Sequence, residues 1–350
     1  MTTKIKKIRS VFAQNQIDAF LVFKDVNITY LTGFPASESW LLIGSRQTFY
    51  ITDFRYILEA KKGLKGIGLH CYTKSIYETL FKLIGKAKIK KIGIDERHLT
   101  LSQYRNLTRQ CPKGVKLVKA NNLVENFREI KDESEIRKIK KALSIHKEAL
   151  QLLKGIVKPK MSEKEVLLKL EYFVKSRGAG FSFDPIIASG PNSCYPHARV
   201  SQRKIRNNES VLIDMGIDVD GYKSDLTRMF FLGRIPKLVK QVNDYVYGAQ
   251  QKAIEKIRAG ISVAEVDYAA RNYLAKKGLA KYFGHALGHG VGLEIHENPR
   301  VAQNNSTILK EGMVITVEPA VYIPHKFGIR IEDMAVVTKK GCNILSGNIY

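Results

Sequence analysis

The 350-residue sequence lacks several features that would assign it to a familiar class of protein. Its four cysteines form no CxxC pair, which argues against a thiolate zinc site and fits a reducing compartment. No apolar run approaches the roughly 18 residues of a membrane span. The first ten residues have no apolar core behind them, so they do not predict a secretory signal. We therefore expect a cytoplasmic protein with no membrane partner.

Acidic residues are scarce, at 33 against 58 basic ones, which gives a net charge of +25. A nucleic-acid-binding protein usually concentrates its basic residues in one patch near a recognisable module. Here the lysines are spread along the chain, and the densest run, Lys86–Gly93, leads into an apparent strand. This pattern favours a solvated basic surface, with nucleic-acid binding as the less favoured alternative.

Residues 1–125 alternate short apolar runs with helical patterns, which predicts an α/β domain with no obvious chemistry of its own. The predicted strands are Ile17–Phe23, Leu41–Thr52, Lys91–Asp95 and Val115–Ala120. The predicted helices are Ser75–Gly85 and Thr100–Gln110. Ser75 and Glu78 have the spacing of a capping box at the start of the first of these helices.

Residues 126–350 repeat the order helix, helix, hairpin. The first long helix has an apolar stripe that includes His146, which favours a packed core histidine. Capping boxes of the form S-x-x-E predict the starts of two further helices, at Ser162 and at Ser262. A helix over about 237–257 lies between them. The repeat predicts two similar halves around one centre.

The first hairpin, Val211–Phe231, places two carboxylates in apolar runs where hydrophobic residues are expected. Asp214 and Asp225 are equidistant from a turn centred between Val219 and Asp220. Residues placed symmetrically about a turn are cross-strand neighbours unless a bulge shifts the register. We therefore expect the two aspartates to face each other.

The second hairpin, Gly312–Val337, has a matching pair, because Glu318 and Glu332 are equidistant from His325. Four carboxylates brought together repel one another, and burial raises their pKa values further. Two divalent cations would balance four negative charges. The alternative, surface acids paired with lysines, fits poorly within apolar strands.

Histidines accumulate in the same part of the chain. Three of them, His285, His289 and His296, lie in the glycine-rich segment 283–299, and His197 lies in a Pro/Gly-rich loop before the first hairpin. Glycines let the backbone approach a site closely. The spacings of four and seven residues indicate that the three histidines face a common cavity.

Five sequence blocks together resemble the pita-bread metallopeptidases, a family that includes prolidase, aminopeptidase P and methionine aminopeptidase. The blocks are "IDMG", "SDLTR", "GHGVGLEIHE", "VEPAVY" and "GIRIED". Upstream, "IDAFLVFKDVNITYLTGF" and "FYITDFRY" resemble the creatinase-type N-terminal domain. The resemblance implies an α/β creatinase-like domain over residues 1–125. It is followed by an α+β pita-bread catalytic domain with two pseudo-symmetric halves over residues 126–350.

The resemblance also implies a set of metal ligands, and all five are present. They are Asp214, Asp225, His289, Glu318 and Glu332, with Asp225 and Glu332 shared by two divalent ions. Glu318 would also carry a proton from the nucleophile to the leaving nitrogen. A ligand set rich in oxygen, with one imidazole, favours Mn²⁺ or Co²⁺, while zinc and iron stay open.

Other family positions would contact the substrate. The resemblance assigns His285 and His296 to the substrate carbonyl and the developing oxyanion, and His197 to the proline side of the pocket. Tyr322 and Arg330 match positions near the substrate. Because Arg330 lies two residues from Glu332 on the same strand, we expect its guanidinium to reach the substrate.

These features predict a dinuclear metallopeptidase that hydrolyses the bond between an N-terminal residue and proline in short peptides. The preference for proline rests on the creatinase-like domain alone. We favour an Xaa-Pro dipeptidase (prolidase), and the alternative is an aminopeptidase P that acts on longer peptides. A non-catalytic binding module of the same fold is a more distant alternative. The resemblance also implies a homodimer.

Overall fold

The computed structural model describes residues 3–347 and divides the chain into two compact units. The first unit ends at Arg128 and the second begins at Glu129. The sequence had placed the domain boundary between residues 125 and 126. Each unit has its own hydrophobic core, and the candidate site described below lies in the second unit.

The first unit is an α/β domain built on one mixed sheet. Its strands are β1 (Ala19–Val22), β2 (Trp40–Gly44), β3 (Thr48–Thr52), β4 (Gly68–Cys71), β5 (Lys91–Ile94) and β6 (Lys116–Lys119). Its helices are α1 (Thr3–Ser10), α2 (Asp25–Thr32), α3 (Ile57–Gly63), α4 (Ile76–Lys86), α5 (Leu101–Gln110) and α6 (Glu125–Arg128), with a 3₁₀ turn at Glu96–His98. The strand order is β4-β3-β2-β1-β5-β6, and aliphatic side chains from both sheet and helices form the core.

Two local predictions for this unit are wrong. The apolar run predicted as one strand over Leu41–Thr52 is an antiparallel pair, β2 and β3, joined by a short polar turn. Ser75 does stand at the N-terminus of α4, but its side chain makes no capping hydrogen bond. The capping box lies instead at Thr100 and Gln103 of α5.

The second unit contains two helix pairs and a larger set of strands. Its helices are α7 (Glu133–Ile156), α8 (Glu163–Ser176), α9 (Lys237–Ile254) and α10 (Val263–Lys276), with 3₁₀ turns at Gly190–Cys194 and Ala280–Tyr282. The strands before α9 are β7 (Gly180–Phe181), β8 (Ile186–Ser189), β9 (Glu209–Met215), β10 (Ile217–Val219), β11 (Tyr222–Lys223) and β12 (Leu226–Leu232). The strands after α10 are β13 (Gly288–Gly290), β14 (Glu297–Val301), β15 (Val314–Val317), β16 (Ala320–Ile323), β17 (Phe327–Arg330), β18 (Asp333–Val337) and β19 (Cys342–Ile344).

The predicted repeat is present. Helices α7 and α8 precede β9–β12, and α9 and α10 precede β15–β18. Both predicted capping boxes form, with Ser162 and Glu165 at the start of α8 and Ser262 and Glu265 at the start of α10. The sheets of this unit have the orders β12-β9-β8, β11-β10-β7, β14-β13-β15-β18-β19 and β16-β17.

The first hairpin has a different register from the predicted one. Its turn residues are Asp220 and Gly221, with φ values of 53° and 81°. An Asp-Gly pair with two positive φ angles is a preferred two-residue connection between antiparallel strands. The turn therefore lies one residue later than predicted, and Asp214 faces Thr227 instead of Asp225.

The second hairpin has the predicted register. Val317 pairs with Asp333, and Ala320 pairs with Arg330, so the strands remain symmetric about His325. Glu318 and Glu332 lie between these two pairs, at the same level of the hairpin. This hairpin therefore brings its two acids together directly.

His146 is a buried core residue, as its position in the apolar stripe of α7 predicted. Its side chain is fully buried, and Nδ1 lies 3.1 Å from the Ser224 hydroxyl.

Across residues 3–347, no helix combines the length and apolar character that crossing a membrane requires.

Candidate metal centre

The acids of both hairpins converge in the interior of the second unit. Asp214, Asp225 and Glu332 are 8%, 4% and 2% exposed, and the Glu318 side chain is 17% exposed. Asp214 belongs to β9, and Asp225 precedes β12. Glu318 and Glu332 lie just outside the paired ends of β15 and β18. Carboxylates are almost never buried to this extent unless they are paired or bind a cation.

His289 joins these acids from β13. Its Nε2 lies 3.6 Å from Oδ2 of Asp225 and 3.5 Å from Oε1 of Glu318. Single ligand atoms from Asp225, His289 and Glu332 all lie within 4.8 Å of one another. Three of the five sequence-predicted ligands, Asp225, His289 and Glu332, are therefore close enough to share a bound ion.

The protonation state of His289 suits a metal ligand. Its Nδ1 lies 3.1 Å from the carbonyl oxygen of Gly290, and a carbonyl only accepts, so Nδ1 carries the hydrogen. Burial, with a smaller effect of neighbouring His296, lowers the pKa of His289 to about 4. At neutral pH the lone pair of Nε2 therefore points toward the acids.

Burial and mutual repulsion disfavour the charged forms of three of these acids. Burial raises the pKa of Asp225 and of Glu332 well above the ordinary range, and repulsion from the other carboxylates adds to the increase. Burial likewise raises the pKa of Glu318 to about 8. Within residues 3–347, Oδ1 of Asp214 and Oδ1 of Asp225 are buried without a hydrogen-bond partner. Divalent cations fit this donor set because they would neutralise the repulsion and satisfy these oxygens.

Arg330 lies beside this cluster and is 3% exposed. Its Nη2 donates to Asp214, Nη1 donates to Tyr322 Oη at 2.5 Å and to the Pro196 carbonyl at 3.2 Å, and Nε donates to Thr227 at 3.0 Å. All of these partners belong to the protein, and the expected contact of the guanidinium with the substrate stays a prediction. The contacts of Arg330 lie within the protein and hold Asp214 and Tyr322 in place.

Tyr322 connects Arg330 to His285. Burial raises the pKa of Tyr322 to about 12, so its hydroxyl keeps its proton. The hydroxyl oxygen accepts from Arg330 and lies 3.4 Å from Nε2 of His285. Nδ1 of His285 lies 2.7 Å from the Ala286 carbonyl, and burial lowers the pKa of His285 to about 4. Neutral His285 therefore presents Nε2 as an acceptor to Tyr322.

His296 and His197 lie on the more open side of the cluster. The ring of His296 meets that of His289 edge-on, with 4.4 Å between centroids. Burial lowers the pKa of His296, and the proximity of His197 lowers it further. His197 itself is exposed. Both histidines are therefore placed to meet a molecule that approaches the acids.

Several residues that support the proposed ligands were not predicted from the sequence. Thr227 donates to Glu332 Oε2 at 2.8 Å, and Arg228 donates to the Glu332 carbonyl and to Asp333. Both belong to the "SDLTR" block, which was the available signal. Thr316 accepts from the His289 backbone N–H at 3.1 Å, and no sequence pattern marked it.

The first unit also contains a cluster of potential ligands, at Asp95, His98 and Glu125. Arg97 already supplies a cation there, because Nη2 lies 2.5 Å from Asp95 and 3.6 Å from Glu125. The backbone N–H of Asn122 also donates to Asp95. We regard this cluster as a structural ion-pair network.

Two helix–helix–hairpin halves that enclose buried carboxylates and a neutral imidazole define the pita-bread class of metal-dependent hydrolases. Residues 137–339 match the model of metallopeptidase family M24, and residues 4–130 match the creatinase/prolidase N-terminal domain. The chain belongs to metallopeptidase family M24, whose chemistry depends on divalent metal ions.

Similar proteins cover almost the whole chain. A curated Xaa-Pro dipeptidase of Pyrococcus horikoshii is 38% identical, over 99% of this chain and 97% of its own length. The solved structure of an Xaa-Pro dipeptidase from Bacillus anthracis matches with a TM-score of 0.94 at 35% identity, covering 99% of this chain and 97% of that one. An X-Pro aminopeptidase from Thermotoga maritima matches with a TM-score of 0.89 at 34% identity, covering 96% and 97%.

Proposed function

We propose that this chain is a dinuclear metal-dependent Xaa-Pro peptidase that prefers Xaa-Pro dipeptides. The observation that carries the proposal is a cluster of four mostly buried carboxylates, three of which, Asp225, Glu318 and Glu332, lie around the neutral Nε2 of His289. The ligands would be Asp214, Asp225, His289, Glu318 and Glu332. Their oxygen-rich composition supports Mn²⁺ or Co²⁺ as the ions, with Zn²⁺ as the alternative.

Two such ions would supply Lewis-acid polarisation of the scissile carbonyl and a hydroxide nucleophile at neutral pH. The residues of the chain hold this chemistry in place. Arg330 fixes Asp214, and Thr227 fixes Glu332, so neither carboxylate is free to rotate. Neutral His289 keeps its lone pair toward the acids because Nδ1–H is bonded to Gly290.

Glu318 is the proposed proton carrier between nucleophile and leaving nitrogen. Its side chain is the most exposed of the four acids, which gives it access to a substrate. Its pKa, raised by burial, is that of a group able to hold a proton near neutrality, before any ion is bound. His296 is the proposed contact for the substrate carbonyl and oxyanion. Neutral His285 has Nδ1–H bonded to the Ala286 carbonyl and Nε2 facing the Tyr322 hydroxyl, so it has no free donor for either oxygen.

The choice of dipeptides rests on similarity to the named dipeptidases of Pyrococcus horikoshii and Bacillus anthracis. The similarity to the Thermotoga maritima aminopeptidase favours the second candidate, an enzyme that acts on longer peptides. A dipeptidase must recognise the free proline carboxylate, whereas an aminopeptidase must leave that side open. His197 is the proposed residue on that side, because it is exposed and close to His296.

The test is hydrolysis after reconstitution with Mn²⁺, Co²⁺ or Zn²⁺. The kcat/KM for an Xaa-Pro dipeptide is compared with that for the same dipeptide carrying a C-terminal amide and for an Xaa-Pro tripeptide. A higher kcat/KM for the free dipeptide supports the proposal, and a large preference for the amide and the tripeptide refutes it in favour of the aminopeptidase. Full activity in a chelated, metal-free sample would refute the metal centre. Sedimentation tests the expected homodimer.

A further inference from the structure

The side chain of Glu163, in the first turn of α8, is fully buried without belonging to the metal centre. Its Oε1 accepts from the Ser189 backbone N–H at 2.7 Å, from the Ser189 hydroxyl at 2.8 Å and from Asn192 Nδ2 at 3.1 Å. Its Oε2 accepts from the Ser201 backbone N–H at 3.1 Å and from the Ser201 hydroxyl at 2.6 Å. One carboxylate thus satisfies five donors.

These donors lie at both ends of one loop, residues 189–201, which we call the 189–201 loop. Ser189 ends β8, and Ser201 ends the loop. Because one carboxylate oxygen binds each end, Glu163 closes the loop at its base. Hydrogen bonds to an ionised acceptor are stronger than those between neutral groups, so this closure is firm.

The middle of the 189–201 loop is bonded to the second hairpin. The backbone N–H of Gly328 donates to the Ser193 hydroxyl at 2.8 Å, and Arg330 donates to the Pro196 carbonyl at 3.2 Å. Arg330 also donates to Asp214. The loop is therefore bonded to Arg330, which also holds the proposed metal ligand Asp214.

His197 follows Pro196 in this loop. Its exposed imidazole is a neighbour of both His285 and His296. Its neighbours Tyr195, Pro196 and Arg199 are also exposed. The position of His197 therefore depends on where the loop is held.

We propose that Glu163 is a positioning residue that fixes the 189–201 loop and thereby places His197 at the proline end of the substrate. This proposal rests on the proposed Xaa-Pro peptidase function. Through the loop, Glu163 controls the preference for a free proline carboxylate over an extended peptide. Glu163 does not contact the substrate itself and takes no part in the bond-breaking step.

The variant Glu163→Gln tests this role because Gln keeps the shape but replaces one acceptor oxygen with an NH₂ donor. The donors at one end of the loop then face another donor. The matched control is Glu165→Gln, two residues along the same helix. The exposed Glu165 carboxylate accepts from the Ser162 backbone N–H and makes no hydrogen bond to the 189–201 loop. Ser201→Ala is a milder variant that removes one donor from the loop side.

Two measurements are made on each metal-reconstituted variant. Hydrogen–deuterium exchange should rise in the 189–201 loop of Glu163→Gln and stay at the wild-type level in Glu165→Gln. The ratio of kcat/KM for the Xaa-Pro dipeptide to that for its amide should fall about tenfold, the size expected for losing one charged hydrogen bond. The loss should appear mainly in KM, with metal content unchanged. Ser201→Ala should shift both readouts in the same direction by less.

Unchanged exchange in the loop of Glu163→Gln would overturn the proposal, as would increased exchange with an unchanged substrate ratio. If Glu163→Gln does not fold, Ser201→Ala decides on the same two readouts. Wild-type protein that hydrolyses neither substrate would refute the proposed function and the specificity role together. The exchange measurement would still show whether Glu163 holds the loop.

Discussion

Lys131 and Glu297 form a buried ion pair, with 3.0 Å between Nζ and Oε2 and side chains that are 1% and 5% exposed. The other carboxylate oxygen of Glu297 accepts from the backbone N–H of Glu294, so the pair fixes the short turn that carries His296. A side chain at Gly292 would collide with this carboxylate, since an added Cβ would lie 2.7 Å from Oε2. The absence of a side chain at Gly292 therefore makes room for the Glu297 carboxylate of this ion pair.

Removing one partner of this pair should be costly. Lys131→Met takes away the cation and leaves a buried carboxylate, which typically destabilises by about 3–5 kcal/mol. Urea unfolding should show this loss, and the double variant Lys131→Met/Glu297→Gln, which removes the buried charge but keeps an acceptor for the Glu294 N–H, should recover most of it. The control Lys141→Met breaks an exposed pair with Asp220 and should cost less than about 1 kcal/mol. Equal losses for the two lysines would contradict this prediction.

Asp225 is central to the proposed metal centre because its carboxylate is close to both His289 and Glu332. Asp225→Ala should lose at least one bound ion and nearly all turnover, since it removes one of the two carboxylates that both ions are proposed to share. Elemental analysis and peptide hydrolysis measure the two effects. Asp184→Ala, at an exposed aspartate of the same unit, is the control and should keep both. A fully loaded Asp225→Ala protein would show that this residue is not a ligand.

His296 is predicted to act on the substrate and not as a ligand. Loss of a comparable oxyanion donor lowers kcat by a factor of about 10²–10³. The kcat of His296→Ala should therefore fall by that factor while both ions remain bound. The control is His325→Asn in the exposed hairpin turn, where φ is 58° and asparagine is tolerated. Loss of an ion from His296→Ala would mean that the division of roles between His289 and His296 is incorrect.

His146 should make folding stability depend on pH. Burial, with the charge of Arg228, lowers the pKa of His146 to about 3 in the folded protein. The unfolded chain takes up a proton near its ordinary pKa of about 6.5, so the unfolded state binds more protons between these values. Stability should therefore fall as pH drops below about 6.5. The loss from this group between pH 7 and pH 5 should be about 2 kcal/mol.

The comparison with His146→Asn isolates this contribution. Asparagine can still bond to Ser224 but does not titrate, so the variant should lose less stability than the wild type over the same pH range. Urea unfolding at pH 7, 6 and 5 measures the difference. Parallel pH profiles for the two proteins would show that His146 is protonated in the folded state.

Local chemistry explains which structural predictions succeeded. The S-x-x-E boxes at Ser162 and Ser262 form because the side chain and the helix start are only three residues apart. The register of the second hairpin follows from its symmetry about His325. The predicted register of the first hairpin is wrong because the turn was placed one residue too early, whereas the structure has its turn at Asp220 and Gly221. Turn geometry prevails because both residues adopt a positive φ.

The sequence alone determined the candidate ligands, the order of the two halves and the family resemblance, because these depend on residue identity and spacing. The tertiary structure decided what each charged side chain contacts. Arg330 lies 116 residues from Asp214 along the chain, and Glu163 lies 38 residues from Ser201. Spacing carries no information about such contacts, since they form only when separate elements pack together and buried charges must find partners. For that reason the hydrogen bonds of Arg330 to Asp214 and Tyr322 could not be predicted from the sequence, and its contact with the substrate stays a prediction.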